Sequence, residues 1–454
     1  MPHTSINPAS GEILARFDDY PAARLETALA TAATVQPAWA ARPLEERCAL
    51  LRALAQLLKS QRDALADIMT REMGKLTREA RAEIEKCALA CEFYADQAAA
   101  FLADETIGSD AGKSYVAYQP LGIVFAVMPW NFPFWQVLRF AAPTLVAGNA
   151  ALLKHAPNVP QCALAIEKLF QEAGFPSGVF QTLLISTDQA AQVIGDARVH
   201  AVTLTGSERA GRAVAATAGE HLKKCVLELG GSDAFIVLDD ADLDWTVAQA
   251  RKARFQNAGQ SCIAAKRFIV TAGIAEDFVA RFTAAVGELV PGDPRDEHTT
   301  LAPMARDDLR AGLHAQVQDA LQHGARALCG GALLDGPGFY YPATVLDGIT
   351  PDMRAWREEL FGPAASIIRV KDEAEALQVA NGSPYGLGSS VWTRDTARGE
   401  ALARQLAAGS AFVNGMVKSD PRLPFGGIKQ SGYGRELSHH GIREFVNAKT
   451  VWLK

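Results

Sequence analysis

The chain has 454 residues, 49% of them hydrophobic, more than one simple core holds, so two or three lobes are expected. Its 45 Lys and Arg against 51 Asp and Glu leave a formal net charge of −6, with no basic stripe of the kind that binds a phosphate backbone, which argues against nucleic acid as a partner. Seven scattered cysteines, an odd number, do not make a disulfide framework and fit a reducing compartment.

The opening Met1-Pro2-His3-Thr4-Ser5-Ile6-Asn7-Pro8 has no basic region followed by an apolar stretch, so no signal peptide is expected and the protein is placed in the cytoplasm. From about Ala22 to Leu102 the pattern is helical, clearest where apolar residues recur three and four apart between Cys48 and Leu58. Cys87 and Cys91 fall on one face of that stretch. With no His or further Cys at ligand spacing after them, they read as core packing, and no metal is expected. The longest apolar run, Leu121 to Trp130, stops at Pro129, well short of the roughly 20 residues that span a bilayer. It reads as a buried strand, and no membrane contact is expected.

Short apolar runs then alternate with helical stretches. Gly122 to Met128, Ala150 to Leu153, Val179 to Leu184, Ala201 to Leu204 and Val226 to Leu229 each precede a turn or helix, which predicts a parallel sheet with crossover helices. A second α/β series follows, with strands at Arg267 to Val270, Ala365 to Val370, Ser389 to Trp392 and Ala411 to Val413 and a helix from Ile274 to Leu289. The end, Phe445 to Lys454, has strand propensity and no helix after it. An uncovered edge is a liability, so pairing with another subunit is expected there.

Four local features carry chemistry. Small and polar residues before Cys262, in Gly259-Gln260-Ser261-Cys262, let the backbone approach a substrate, although an isolated cysteine is more often a packed one. Glu228 ends an apolar strand just before Gly230 and Gly231; burial there would raise its pKa toward general-base range, and a simple strand cap is the equal alternative. Thr205-Gly206-Ser207 follows a strand and opens a helix, a setting in which backbone N–H groups attract phosphate, but it lacks the G-x-G-x-x-G fingerprint. Pro129-Trp130-Asn131-Phe132-Pro133 sets the amide of Asn131 near the carboxyl edge of the sheet, where open α/β sheets bind ligands.

Together these motifs resemble the aldehyde dehydrogenase superfamily. The likeness runs in order from Asn7-Pro8-Ala9-Ser10-Gly11-Glu12 through those four motifs to Glu359-Leu360-Phe361-Gly362-Pro363 and Pro424-Phe425-Gly426-Gly427. It implies an α/β fold: a Rossmann-like cofactor domain at 1–101 and 121–230, a catalytic α/β domain at 231–430, and a small oligomerisation arm at 102–120 and 431–454. It implies NAD or NADP as cofactor, a small-molecule aldehyde as substrate, and a homodimer or homotetramer. Cys262 would be the nucleophile, Glu228 the general base and Asn131 the oxyanion donor. Trp130, Lys154, Gly206, Ser207, Glu359 and Phe361 would contact the cofactor.

Within the superfamily the chain looks most similar to succinate-semialdehyde dehydrogenases of a shorter bacterial type, in which an arginine at the position of Arg139 holds the distal carboxylate. Trp135, Gln256 and Ser419 would complete the substrate site. Gln256 departs from the pattern, standing where a second arginine is usual; Ser419 or Arg422 would have to replace it, unless their loop is merely solvated. Pro157 stands where many NAD⁺-preferring relatives carry a glutamate, which implies use of both coenzymes. Other readings are a dehydrogenase for a related aldehyde such as glutarate semialdehyde, or a CoA-acylating enzyme, against which Glu228 argues. A nucleotide-binding protein without turnover and a cysteine hydrolase are weaker, the latter because no His, His439-His440 included, sits in a partner motif.

Overall fold

The computed structural model describes residues 3–454. It opens with an antiparallel hairpin, His3–Ile6 against Ile13–Phe17, that the sequence patterning did not reveal. The helical opening is four helices rather than one: Ala22–Ala41, Leu44–Ser60, Arg62–Met73 and Thr77–Phe101. Pro43, extended at ψ 138°, ends the first run, and Gly74 ends the third in the left-handed region at φ 81°. A side chain at Gly74 would also run into Pro303, 2.9 Å from where its Cβ would stand. Cys87 and Cys91 are buried on the last helix within the largest core cluster.

The first sheet has six strands in the order Gly432–Tyr433, Lys224–Glu228, Val199–Thr205, Ile123–Met128, Ala150–His155 and Phe180–Thr182. All pair in parallel except Gly432–Tyr433, which comes from near the chain's end and runs antiparallel along Glu228 and Leu227. Strand order reverses beside Ile123–Met128, whose neighbours continue in opposite directions, so a crevice opens at its carboxyl end. Asn131 and the Gly206-Ser207 turn both leave the sheet there.

The second sheet has seven strands, Arg326–Cys329, Thr344–Asp347, Ala364–Val370, Ala265–Thr271, Asp233–Val237, Gly388–Trp392 and Ser410–Val413 in that order. Only Arg326–Cys329 is antiparallel to its neighbour. Asp233–Val237, buried at every position, lies near the middle. It was not distinguished in sequence because its apolar run follows so closely on the preceding strand and its glycines. A third sheet, apart from these, pairs Val446–Leu453 with Lys113–Pro120 along the length of both, with Glu105–Thr106 beyond. Val446–Leu453 is an edge strand that leaves Trp452 51% and Leu453 45% exposed. Among the described residues no helix is long and apolar enough to cross a membrane.

Candidate active site

The helix Leu243–Phe255 ends in a tight turn, Gln256–Gly259, in which Asn257, Ala258 and Gly259 all take left-handed φ of 55°, 52° and 70°. Such a conformation costs of order 1–3 kcal/mol for each non-glycine residue and persists only where its surroundings impose it. Glu79 accepts from the Asn257 backbone N–H at 3.1 Å, the Asn257 amide donates to the Asn131 carbonyl at 2.9 Å, and Gln260 accepts from the Ala305 N–H at 2.9 Å. Gly259 packs so tightly on the Gly362 carbonyl that no Cβ fits. The turn delivers Cys262, half-buried, just before the strand Ala265–Thr271. Burial pushes its thiol up to about 12, against the opposing pull of Lys266 and Arg139, so the resting group is a thiol that needs a base.

Asn131 is 4% exposed. One hydrogen of its amide goes to the Gln260 carbonyl at 3.1 Å, which orients the group and leaves the second free. Glu228, at the end of its strand and 2% exposed, has no hydrogen-bond partner on either oxygen among the described residues. Burial, then the nearby Glu436 carboxyl, raise its pKa well above the ordinary range, while Arg139 and Arg435 oppose the shift. It is poised to hold a proton.

Two cavities meet at Cys262. One, of about 230 Å³, is walled by Trp130, Gly206, Ser207, Glu359 and Phe361, the indole and phenyl rings meeting edge to face with centroids 5.8 Å apart. Ser207 caps the following helix, accepting from the Ala210 N–H at 3.4 Å. Glu359 pairs with Lys266 at 2.9 Å and accepts from the Gly231 N–H at 3.2 Å. Lys154 lies farther along the same sheet edge, half-buried, its pKa lowered by burial and, among the described residues, without a carboxylate in ion-pair reach. A phosphate-attracting turn, an unpaired buried cation and an apolar slot ending at a thiol fit a dinucleotide laid along the crevice with its reactive ring toward Cys262.

The second cavity, of about 90 Å³, is lined by Trp135, Arg139, Gln256, Ser419 and Lys86 together with Cys262. Arg139 does not face it as a free cation. It is 2% exposed, ion-paired with Glu436, and its guanidinium carbon stands 4.7 Å from the centre of the Phe425 ring. Gln256 is exposed and also lines an open groove bearing Arg78, Arg251 and Lys252. Ser419 is buried in the cavity, whereas Arg422 is solvated and pairs with Asp420 at 2.6 Å.

The structure adds residues that sequence reading passed over. Lys266, 1% exposed, donates to the carbonyls of Ser261 and Cys262 at 2.7 and 2.6 Å and so ties Glu359 to the nucleophile turn. Two adjacent cations, Lys266 and Arg267, at the start of a buried strand were the available signal. Glu79, Glu83 and Lys86 share one face of the helix Thr77–Phe101. Glu83 pairs with Lys75 and accepts from the N–H groups of Phe134 and Trp135 at 3.0 and 2.9 Å, fixing the start of the helix that carries Arg139. Nothing in linear sequence linked that helix to the cysteine. His155 donates from Nε2 to the Pro133 carbonyl, 2.9 Å away, and burial lowers its pKa to about 4, so it braces the Asn131 loop as a neutral ring.

Residues 2–451 match the model of the aldehyde dehydrogenase family. A probable NADP⁺ succinate-semialdehyde dehydrogenase of Synechocystis sp. is 52% identical, with all of both chains covered. The NAD(P)⁺ succinate semialdehyde dehydrogenase Sad of Escherichia coli is 49% identical over 99% of this chain and 97% of its own. A crystal structure of succinic semialdehyde dehydrogenase from Streptococcus pyogenes in complex with NADP⁺ superposes with a TM-score of 0.98 at 42% identity, covering 99% of each chain.

Proposed function

The chain belongs to the aldehyde dehydrogenase family, whose members oxidise aldehydes to carboxylic acids, and we propose that its substrate is succinate semialdehyde, oxidised to succinate with NAD⁺ or NADP⁺. The observation that carries this reading is the position of Cys262 between two cavities, one ending at the Gly206-Ser207 turn and the other lined by the cations Lys86, Arg139 and Lys418. The relatives named for this activity support the substrate.

When bound, the nicotinamide supplies a hydride acceptor, which Trp130, Glu359 and Phe361 would hold beside Cys262, with Gly206, Ser207 and Lys154 on the phosphate and adenosine side. The Cys262 thiol gives its proton to Glu228 and its sulfur adds to the aldehyde carbon. The resulting oxyanion accepts from the free hydrogen of the Asn131 amide and from the Cys262 backbone N–H, which has no other partner among the described residues. After hydride loss the acyl group remains on sulfur as a thioester. Glu228 passes its first proton to solvent and then takes a proton from water, the hydroxide adds to the thioester carbonyl, and the thiolate of Cys262 leaves as succinate forms.

Residues 1–101 and 121–230 form the cofactor domain in this reading and 231–430 the catalytic domain, with 102–120 and most of 431–454 as an arm. Its exposed edge, Val446–Leu453, would pair with a second copy in a homodimer or homotetramer. A cytoplasmic location belongs to this reading, and the unbridged cysteines support it. The test is to incubate the purified protein with NAD⁺ or NADP⁺ and succinate semialdehyde, glutarate semialdehyde or butanal while following reduced nicotinamide. Turnover is expected with all three and highest kcat/KM with succinate semialdehyde; a preference for butanal would overturn the substrate.

A further inference from the structure

The strand Ala265–Thr271 enters its sheet through an irregularity. Along Asp233–Val237 the register steps from Asp233 opposite Ala265 to Ala234 opposite Arg267, so Lys266 is the extra residue of a β-bulge. On the other side the pairing with Ala364–Val370 starts only at Arg267, so Lys266 stands outside that ladder too. A bulge re-aims a side chain, and this one turns a lysine back under the nucleophile turn. The ammonium donates to the Ser261 carbonyl at 2.7 Å, to the Cys262 carbonyl at 2.6 Å and to the Glu359 carboxylate at 2.9 Å, which uses all three of its hydrogens. Lys266 is 1% exposed and lines neither cavity that meets at Cys262. Burying an ammonium is costly, and a backbone brace alone does not call for a charge.

The Ser261 carbonyl and the Cys262 N–H are the two ends of one planar, trans peptide unit. An ammonium held on the oxygen therefore points the N–H the opposite way and fixes it there. It also draws electron density toward the oxygen, which makes the N–H a stronger donor. That N–H has no acceptor among the described residues, and it is one of the two donors that meet the oxyanion in the mechanism above. The other donor is braced from behind in a similar way. Asn131 gives one amide hydrogen to the Gln260 carbonyl, and Asn257 donates to that same carbonyl at 3.1 Å and to the Asn131 carbonyl at 2.9 Å. Gly231 closes the remaining side, since a Cβ there would stand 2.7 Å from the Cys262 carbonyl oxygen.

We propose that Lys266 is a positioning residue for the oxyanion site: through the Ser261 and Cys262 carbonyls it orients and polarises the Cys262 N–H that meets the substrate oxygen. The proposal rests on Cys262 as the nucleophile of the reaction proposed above and adds what holds its backbone donor in place. Two other roles are open to the same side chain. One is to hold Glu359 for the coenzyme; the other is to act by its charge on the Cys262 thiol, whose pKa it opposes in rising.

Two reactions of Cys262 that need no coenzyme separate these roles in the full chain. p-Nitrophenyl acetate acylates the thiol: sulfur adds to the ester carbon, the thiol proton passes to Glu228, and the carbonyl oxygen carries negative charge until the bond to nitrophenolate breaks. Iodoacetamide alkylates it: sulfur displaces iodide at a saturated carbon, the proton is lost in the same way, and no oxyanion forms. A change in thiol pKa or access acts on both reactions and cancels in their ratio. Acylation is read from the burst of nitrophenolate above a Cys262→Ala blank, and alkylation from the mass of the Cys262 peptide. In Lys266→Met the ratio of acylation to alkylation is expected to fall about 10-fold, less than the roughly 10²–10³ lost when an oxyanion donor is removed outright. With NADP⁺, kcat/KM should fall for succinate semialdehyde and butanal alike, since both pass through the same oxyanion. An unchanged ratio overturns the proposal: equal losses in both reactions assign Lys266 to the thiol, and weaker NADP⁺ binding with both rates intact assigns it to Glu359. If wild-type Cys262 is alkylated but gives no burst, the reading of Cys262 as an acyl-accepting nucleophile falls and the proposal with it. Should Lys266→Met not fold, Lys266→Gln, which keeps a polar end without charge, carries the same comparison with a fall in the same direction. Failure of both to fold makes Lys266 a residue of stability and overturns the proposal.

Discussion

The guanidinium of Arg139 is ion-paired with the carboxylate of Glu436, and neither residue exposes more than 6% of its surface. Glu228 feels both: Glu436 pushes its pKa up and Arg139 pulls it down. The cation thus acts on two buried carboxyls at once. Sequence reading gave Arg139 to the substrate's carboxylate; its pairing gives it first to Glu436.

Removing one partner of a buried pair strands the other charge, at a cost of about 3–5 kcal/mol. Arg139→Met should therefore lower the urea midpoint markedly and reduce kcat/KM for succinate semialdehyde and butanal alike. Unfolding curves and parallel kinetics with both aldehydes check this. A loss confined to succinate semialdehyde, with stability intact, would return Arg139 to the substrate.

Glu228→Gln keeps the shape of the strand end but cannot take a proton from water. The expected outcome is a burst of reduced nicotinamide near one equivalent of active sites, followed by slow turnover, seen by rapid mixing. The raised pKa adds a sign. The carboxylate form is absent at low pH and grows as pH rises, so wild-type deacylation should accelerate toward alkaline pH and the amide variant should lose that dependence.

Cys262→Ala should abolish oxidation of every aldehyde and still bind NADP⁺, because the Gly206-Ser207 turn and Lys154 belong to the six-stranded sheet and not to the nucleophile turn. Quenching of protein fluorescence by the coenzyme gives the binding measurement. Residual turnover in this variant would end the covalent mechanism.

Pro157 follows the strand that carries Lys154, and its carbonyl accepts from the Thr4 N–H at 3.1 Å. With no carboxylate in that place to repel a 2′-phosphate, kcat/KM for NAD⁺ and NADP⁺ should lie within about two decades, roughly 3 kcal/mol. Pro157→Glu should depress NADP⁺ use selectively, by like-charge repulsion. Equal harm to both coenzymes would point instead to a backbone disturbance.

Gly259→Ala tests the nucleophile turn. It combines a left-handed φ of 70° with a side chain forced onto the Gly362 carbonyl. Thermal unfolding should come earlier and turnover should drop steeply, while NADP⁺ binding by fluorescence changes little. Wild-type kinetics in this variant would show that the turn tolerates a shift of Cys262.

Much of the site was legible in the chain itself because its parts are local. Cys262 follows its own small-residue turn, Glu228 ends its own strand before two glycines, and Gly206-Ser207 opens its own helix, so short-range pattern and a family resemblance suffice to find them. The alternating strands of both large sheets were visible for the same reason, since a buried parallel strand is a short apolar run. The opening hairpin and Asp233–Val237 were not, one being too polar in pattern and the other too close to its neighbours.

What the sequence could not decide is which charges meet. Arg139 and Glu436 lie almost 300 residues apart in the chain, and Lys86 and Ser419 lie 333 apart. The charge of each was readable, yet whether a buried cation is neutralised or left for a ligand depends on which carboxylate the fold brings within about 4 Å, because desolvation makes that single contact dominate. Packing the helix Thr77–Phe101 against the start of the helix at Trp135 placed Lys86 over the indole, with no carboxylate in ion-pair reach among the described residues, while the chain's final turns carried Glu436 to Arg139. Sequence by itself determined the reaction's nucleophile and base candidates; tertiary contact alone determined that the Arg139 cation meets Glu436.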